Sequence, residues 1–256
     1  MHPINANEFI APPCDEHIQI LHEDEHLLVI DKPSGLLSLS GKNPANKDSV
    51  HYRLVQDYPT ATMLHRLDFG TSGAMVVALN KQVNAHLTKQ FQARTITKHY
   101  HAILLGHLTN DEGIIDAPIA KAEFPYQQIC HETGKPAQSH YQVLERRQGL
   151  LSGTEFTENH AKPHGGAVDA SLRKTIKTTK VLFTPKTGRT HQLRVHSQGI
   201  GHPIIGCDLY RLTKDGVDSQ QLAKRLMLHA SRLSFEHPVT GKQLCIESLS
   251  NDFIAT

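Results

Sequence analysis

MLHRLDFGTSGAMVVAL, residues 63–79, is the stretch from which the rest of the chain is read. Two runs with strand-forming character, MLHRLD and AMVVAL, flank FGTSG, five residues of which four are small turn formers. The pattern predicts strand, turn, strand, with Asp68 delivered into the turn. A carboxylate carried there projects into a cleft rather than a core. Taken alone, Asp68 reads as a turn or helix-cap acid and Arg66 as a surface cation, so their surroundings decide.

Upstream, IQIL at 18–21 and HLLVI at 26–30 read as a hairpin around the acidic EDE, closed by Pro33-Ser34-Gly35. GKNPANKDS is loop-like, and VHYRLVQDY predicts a short helix with Val50, Leu54 and Val55 on one face. Downstream, Asn80 caps a helix whose Val83, Leu87 and Phe91 recur every fourth residue and which ends near Arg94. ITKHYHAILL has the branched and aromatic content of a strand. Residues 148–178, rich in Gly, Ser, Thr and His without a sustained period, read as a long surface loop or insertion of weak order. KVLFTP is a strand, KTGR a turn, and THQLRVHSQ a short helix stopped by Gly199, Gly201 and Pro203. LMLHASRLSF and KQLCIES form a closing hairpin around HPVTG. Residues 1–17, broken by Pro12 and Pro13, read as a loose tail, with order beginning near His17. Too few crossover units are present for a doubly wound sheet, so the expected class is α+β: one domain over 18–256 around a large mixed, mostly antiparallel sheet with flanking helices.

A chain of 256 residues with 38% hydrophobic and 20% charged residues can bury a substantial core. No run approaches the ~20 apolar residues of a membrane span, and MHPINANEFIAPPCDEH lacks the basic and apolar regions of a signal peptide, which points to the cytoplasm. Cys14, Cys130, Cys207 and Cys245 form no CxxC pair, so neither a zinc ribbon nor a disulfide scaffold is indicated. The net charge of +2 decides little, but its distribution is lopsided. Residues 69–110 contain no acid while carrying Lys81, Lys89, Arg94 and Lys98; residues 170–207 contain none against Arg173, Lys174, Lys177, Lys180, Lys186, Arg189 and Arg194. Two such stretches on one face would follow a phosphate backbone; without other support they read first as a solvated charged surface.

His22-Glu23-Asp24-Glu25-His26 satisfies HExxH, whose zinc chemistry needs both imidazoles on one helical turn. Here the five residues bridge two predicted strands, and among 19 histidines so short a pattern arises easily by chance. No metal site is expected.

HRLDFGTSG at 65–73 resembles the HRLD-x-x-TSG motif of the RluA family of RNA pseudouridine synthases, and the other motifs follow in order: DKPSGLLS, then TKHYHAIL with its K-x-Y strand, KTGRTHQLRVH, GHPIIG, LMLHA and HP. The resemblance spans about residues 18–248 and implies a pseudouridine synthase domain with an RNA-binding cleft that isomerises uridine without a cofactor. By the same resemblance Asp68 is the catalytic aspartate, Tyr100 the active-site tyrosine and Arg189 the arginine that pairs with the aspartate. Arg66 helps hold the place of the flipped-out nucleotide, Leu193 is a pocket wall or an ordinary helix-face residue, and His65, Thr71 and Lys98 complete the substrate-binding set. GKNPANKDSVHYRLVQDYP and CHETGKPAQSHY resemble the short members acting on stem-loops of tRNA, including the anticodon loop, and of 23S rRNA; no S4-like domain fits in the 17 residues before the signature, and a monomer is expected. Cys207 stands where many members carry an acid, with Asp208 next to it. Two other readings use less of the sequence: a silent RNA-binding module would not need Asp68, Tyr100 and Arg189 together, and a zinc hydrolase would use only HExxH.

Overall fold

The structure, a computed structural model, describes residues 9–152, 155–157, 175–214 and 217–254. In chain order the elements are β1 Gln19–Glu23, β2 Leu27–Lys32, α1 Val50–Asp57, β3 Thr62–Met63, β4 Ser72–Ala78, α2 Lys81–Ala93 and β5 Thr97–Leu105. There follow β6 Glu112–Asp116, β7 Ile119–Lys121, β8 Gln127–Ile129, β9 Gln138–Ser152, β10 Glu155–Thr157, β11 Thr175–Pro185 and α3 Gln192–Gly199. β12 Thr213–Lys214, β13 Val217–Asp218, β14 Leu228–Glu236, β15 Gln243–Glu247 and α4 Asn251–Ile254 complete the chain.

One large sheet runs β1-β2-β4-β14-β5-β11-β9-β10, with β3 added on β4, β6 on β9 and β15 on β14. Its pairings are antiparallel except β4 with β14, so the mixed, mostly antiparallel sheet expected from the sequence is the one present. β2 and β4 are buried on both faces, and their alternate residues divide between two cores. Leu27, Val29, Ala74, Val76 and Ala78 join α2's Val83 and Leu87, while Leu28, Ile30, Met75 and Val77 join α1's Val50 and Leu54 on the opposite face. A third core lies under β5, β9, β11 and α3, and Tyr100 packs at its junction with the α1 core. At the parallel crossing Gly73 has φ +116°, and a Cβ there would meet Ala230 O at 2.4 Å, so only glycine lets β4 and β14 approach.

The helices form where capping and periodicity place them: Asn80 accepts from Val83 N–H at 2.9 Å, and α2 ends at Arg94 in the left-handed conformation. Three expectations change. Of MLHRLD only Met63 is strand, as the end of β3, and His65–Asp68 is irregular loop, because its backbone is engaged by the DKPSGLLS segment. The segment 148–178 is not a loop at its ends: the β9–β11 ladder extends to Thr175 opposite Leu150, and Thr175–Thr178 alternates exposed and buried as a half-buried strand does. The rest of that insertion, 153–154 and 158–174, lies outside the described residues. Nor does the expected tail hang free from residue 9 onward. Asn46 bonds Phe9 O and Ala11 N–H, Arg53 donates to the carbonyls of Cys14 and Glu16, and Phe9 packs edge-on against Phe69. Among the described residues no helix is long and apolar enough to cross a membrane.

Candidate active site

DKPSGLLS and HRLDFG are laced into one support by bonds that span 29 to 37 residues of sequence. Ser38 Oγ donates to Leu67 O at 2.7 Å and accepts from Leu67 N–H at 3.1 Å. Ser34 Oγ donates to Gly70 O at 2.7 Å, and Gly35 N–H to Phe69 O at 2.9 Å. Lys32, fully buried, points its ammonium at Pro33 O (2.8 Å), Leu36 O (2.6 Å) and Phe69 O (3.2 Å). Each carbonyl flanking Asp68 is thus tied down, which aims the carboxylate without using it. Burial drives the Lys32 pKa down to about 7, against the pull of Cys14, Asp68 and Asp31.

Asp68 opens into a cavity of about 280 Å³ between the β3–β4 loop, the middle of β5 and the start of α3. All eight residues singled out in the sequence line it: His65, Arg66, Asp68, Thr71, Lys98, Tyr100, Arg189 and Leu193. Tyr100 sits mid-strand, opposite Phe183 of β11 and Ala230 of β14, and burial, then the charge of Asp68, pushes its hydroxyl pKa up. His65 Nε2 accepts from Val76 N–H at 3.1 Å and its ring packs on Phe91; burial, then Lys98, lowers its pKa to about 3 and keeps the ring neutral. Arg66 is exposed at the rim.

The pairing expected of Arg189 is made by a different arginine. Arg189 Nε donates to Pro136 O at 3.1 Å, and its backbone N–H to Gln192 Oε1 at 3.0 Å, so it braces the turn before α3. Arg194, 5% exposed, stands 3.8 Å from the Asp68 carboxylate, which is itself 19% exposed. The exchange follows from local backbone geometry: His191 is left-handed (φ 56°), α3 begins at Gln192, and Arg194 lies in its first turn facing the cavity.

Sequence reasoning also missed what holds Arg194. Its guanidinium bonds Asp208 at 2.5 Å and Cys207 Sγ at 3.3 Å, and lies 5.2 Å over the Tyr210 ring. Tyr210 OH accepts from Gln127 N–H at 2.7 Å and meets His191 Nδ1 at 2.8 Å, while His191 Nε2 is 4.0 Å from Asp68. Burial lifts the Tyr210 pKa to about 12 and lowers that of His191, the latter opposed by Asp68. The only signal for this shell was the adjacency Cys207-Asp208.

The HExxH residues occupy the β1–β2 turn, not a helix. Asp24 instead accepts from the backbone of His26 and Leu27 and meets the rings of His22 and His237, and these bonds lower its pKa to about 2 although burial alone would raise it. That is a turn-stabilising acid. Among the described residues no three His, Cys, Asp or Glu side chains are grouped to hold a metal ion.

Residues 26–198 match the family model described as RNA pseudouridylate synthase. The dual-specificity RNA pseudouridine synthase RluA of Vibrio vulnificus is 43% identical, covering 89% of this chain and 81% of that one; its counterpart in Escherichia coli K12 is 38% identical, covering 93% and 95%. Among solved structures, human RNA pseudouridylate synthase domain containing 1 superposes with a TM-score of 0.68 at 28% identity, over 94% of this chain and 86% of that one. A cavity that gathers the acid, the tyrosine and a buried arginine on this sheet, in a sequence so matched over most of its length, identifies the chain as an RluA-type member of the RNA pseudouridylate synthase family.

Proposed function

We propose that this synthase isomerises uridines in stem-loops of tRNA and 23S rRNA, as a cytoplasmic monomer, with Asp68 as the catalytic carboxylate. The observation that carries this reading is the Asp68–Arg194 pair in a cavity that Tyr100 and Leu193 also line. Pseudouridine formation breaks the N1–C1′ bond, turns the uracil and joins C5 to C1′, with no net oxidation and no net uptake of water. It needs an ionised carboxylate beside the ribose, acting as nucleophile at C1′ or as base at C2′. At 3.8 Å and an effective dielectric near 20, Arg194 contributes about 4 kcal/mol of attraction to the ionised form, which offsets much of the desolvation of a largely buried acid.

Tyr100 offers a flat face to the uracil and a neutral hydroxyl through which the C5 proton can leave. A base stacked in a stem-loop cannot reach Asp68, so the nucleotide is extruded at a cost of a few kcal/mol, and Arg66 at the rim is placed to occupy the gap. Lys98 and Arg189 add positive charge to the walls. Support for the substrate class comes from the likeness to dual-specificity synthases over nearly the whole chain. The test is Asp68→Asn assayed by mass-spectrometric mapping of pseudouridine in tRNA and rRNA. Product should vanish while RNA affinity stays within a few-fold of wild type; turnover by the variant at the wild-type rate overturns the assignment.

A further inference from the structure

Beside the catalytic cavity, and sharing Phe91, Lys98 and Pro185 with it, lies a second cavity of about 260 Å³. The end of α2, the start of β5 and the end of β11 wall it, bringing together Arg94, Lys98 and Lys186 with Thr97 and Thr184. Among the described residues that line it none is acidic. None of the three cations makes a side-chain hydrogen bond or ion pair with a described residue. Three like charges without a counterion repel one another, and a concave wall of one sign focuses the field on what enters.

Arg94 and Lys186 are exposed and, alone, would be ordinary solvated cations. Lys98 is different. Its ammonium lies beneath the Lys186–Arg189 turn, 3.6 Å from where a Cβ on Gly188 would stand, and burial lowers its pKa. A desolvated ammonium with no acceptor is costly to keep. The same field reaches outward: Lys98 depresses the pKa of His65 after burial does, and Arg232 and Lys186 act likewise on His99. The volume falls below the ~300–1,000 Å³ of a drug-sized ligand site, and Phe91, Ile96 and Pro185 supply apolar walls suited to a sugar edge.

We propose that this second cavity binds the backbone phosphate of a nucleotide flanking the extruded uridine, with Arg94, Lys98 and Lys186 as its ligands. The proposal rests on the synthase reading and extends it: Lys98, shared by both cavities, places the anion site one wall away from Asp68. Gripping the flanking backbone there would hold the strand open while its neighbour is out of the stack.

The test uses a stem-loop RNA in which the wild-type chain makes pseudouridine, and a doubly substituted chain, Arg94→Gln with Lys186→Gln. Neither residue lines the catalytic cavity. The expected result is a KM about ten-fold higher with kcat within about two-fold, and a salt dependence of RNA affinity shallower by about one in log–log slope. Replacing the phosphates around the target uridine one at a time by neutral methylphosphonate should find one position that weakens the wild type and has no further effect on the double variant. An unchanged KM and slope, or methylphosphonate losses that add to those of the variant at every position, overturns the phosphate site. So does an equal change of slope in Lys242→Gln, which lines neither cavity. Absence of pseudouridine from wild-type reactions on total tRNA and rRNA would instead overturn the underlying synthase reading.

Discussion

Replacing Lys32 by methionine tests how a charge can be kept inside the support of the Asp68 loop. The substitution preserves length and removes the ammonium and its three donated bonds. Phe69 O keeps the N–H of Gly35, whereas Pro33 O and Leu36 O lose the donor described for them. Two buried carbonyls left unpaired cost about 2–6 kcal/mol together. Against this stands the cost of the buried charge. The folded-state pKa is about 7 and the free value 10.5, so the unfolded chain binds the extra proton between them, and wild-type stability rises with pH across that window. From pH 7 to pH 9 the gain amounts to about 2 kcal/mol. The methionine variant has no such group. Urea unfolding of both proteins at pH 7 and pH 9 should therefore show the stability difference between them move in favour of the wild type by about 2 kcal/mol at the higher pH. Pseudouridine formation should fall as well, because the Phe69 carbonyl next to Asp68 loses its tether to β2. Parallel stability curves would show that the ammonium is not held desolvated in the fold, and the reasoning would fail.

Arg194→Met should abolish detectable turnover, whereas Arg189→Ala, which frees only a contact to Pro136 O and a wall of the cavity, should retain activity within about ten-fold; steady-state rates at saturating RNA separate the two. Gly73→Ala should cost about 3 kcal/mol or prevent folding, since the new methyl meets the Ala230 backbone at a left-handed φ, and thermal unfolding reads this directly. Acid should unfold the protein through its buried imidazoles: His65 and His101 have folded-state pKa values near 3 and 4, below the free value, so the unfolded chain takes up protons first and stability declines as pH falls below 6.5. His65 alone accounts for a loss of up to about 2 kcal/mol between pH 7 and pH 5, and His65→Gln, which can still accept from Val76 N–H, should flatten that decline in urea unfolding curves.

Periodicity and caps made much of the fold legible. Asn80 with Val83, Leu87 and Phe91 marked α2, and the aliphatic runs marked β2 and β4, because burial on one or two faces leaves its period in the chain. Where backbone groups answer to distant partners the signal disappears: His65–Asp68 reads as strand but is loop, since Ser38 takes up the Leu67 carbonyl and Lys32 and Ser34 take up those of Phe69 and Gly70 just after it. β9 and β11 run further than their composition suggests, because a ladder across a ribbon needs only a partner of matching register. The residues of the cavity came from the motifs that the chain shares with its family, not from its composition. The choice between Arg189 and Arg194, five positions apart, depended on a left-handed residue at 191 and on where α3 begins, which motif spacing does not encode.

Arg194 answers to two acids at once, and the nearer of them, Asp208, is 64% exposed on the far side of the guanidinium. Should Asp68 surrender its negative charge during turnover, by bonding to the ribose or by accepting a proton, the guanidinium would still have a counterion on its outer flank. The electrostatic cost of that step is thereby capped: the pair of Arg194 and Asp208 persists while the inner acid cycles between states, and the guanidinium is never left without a counterion.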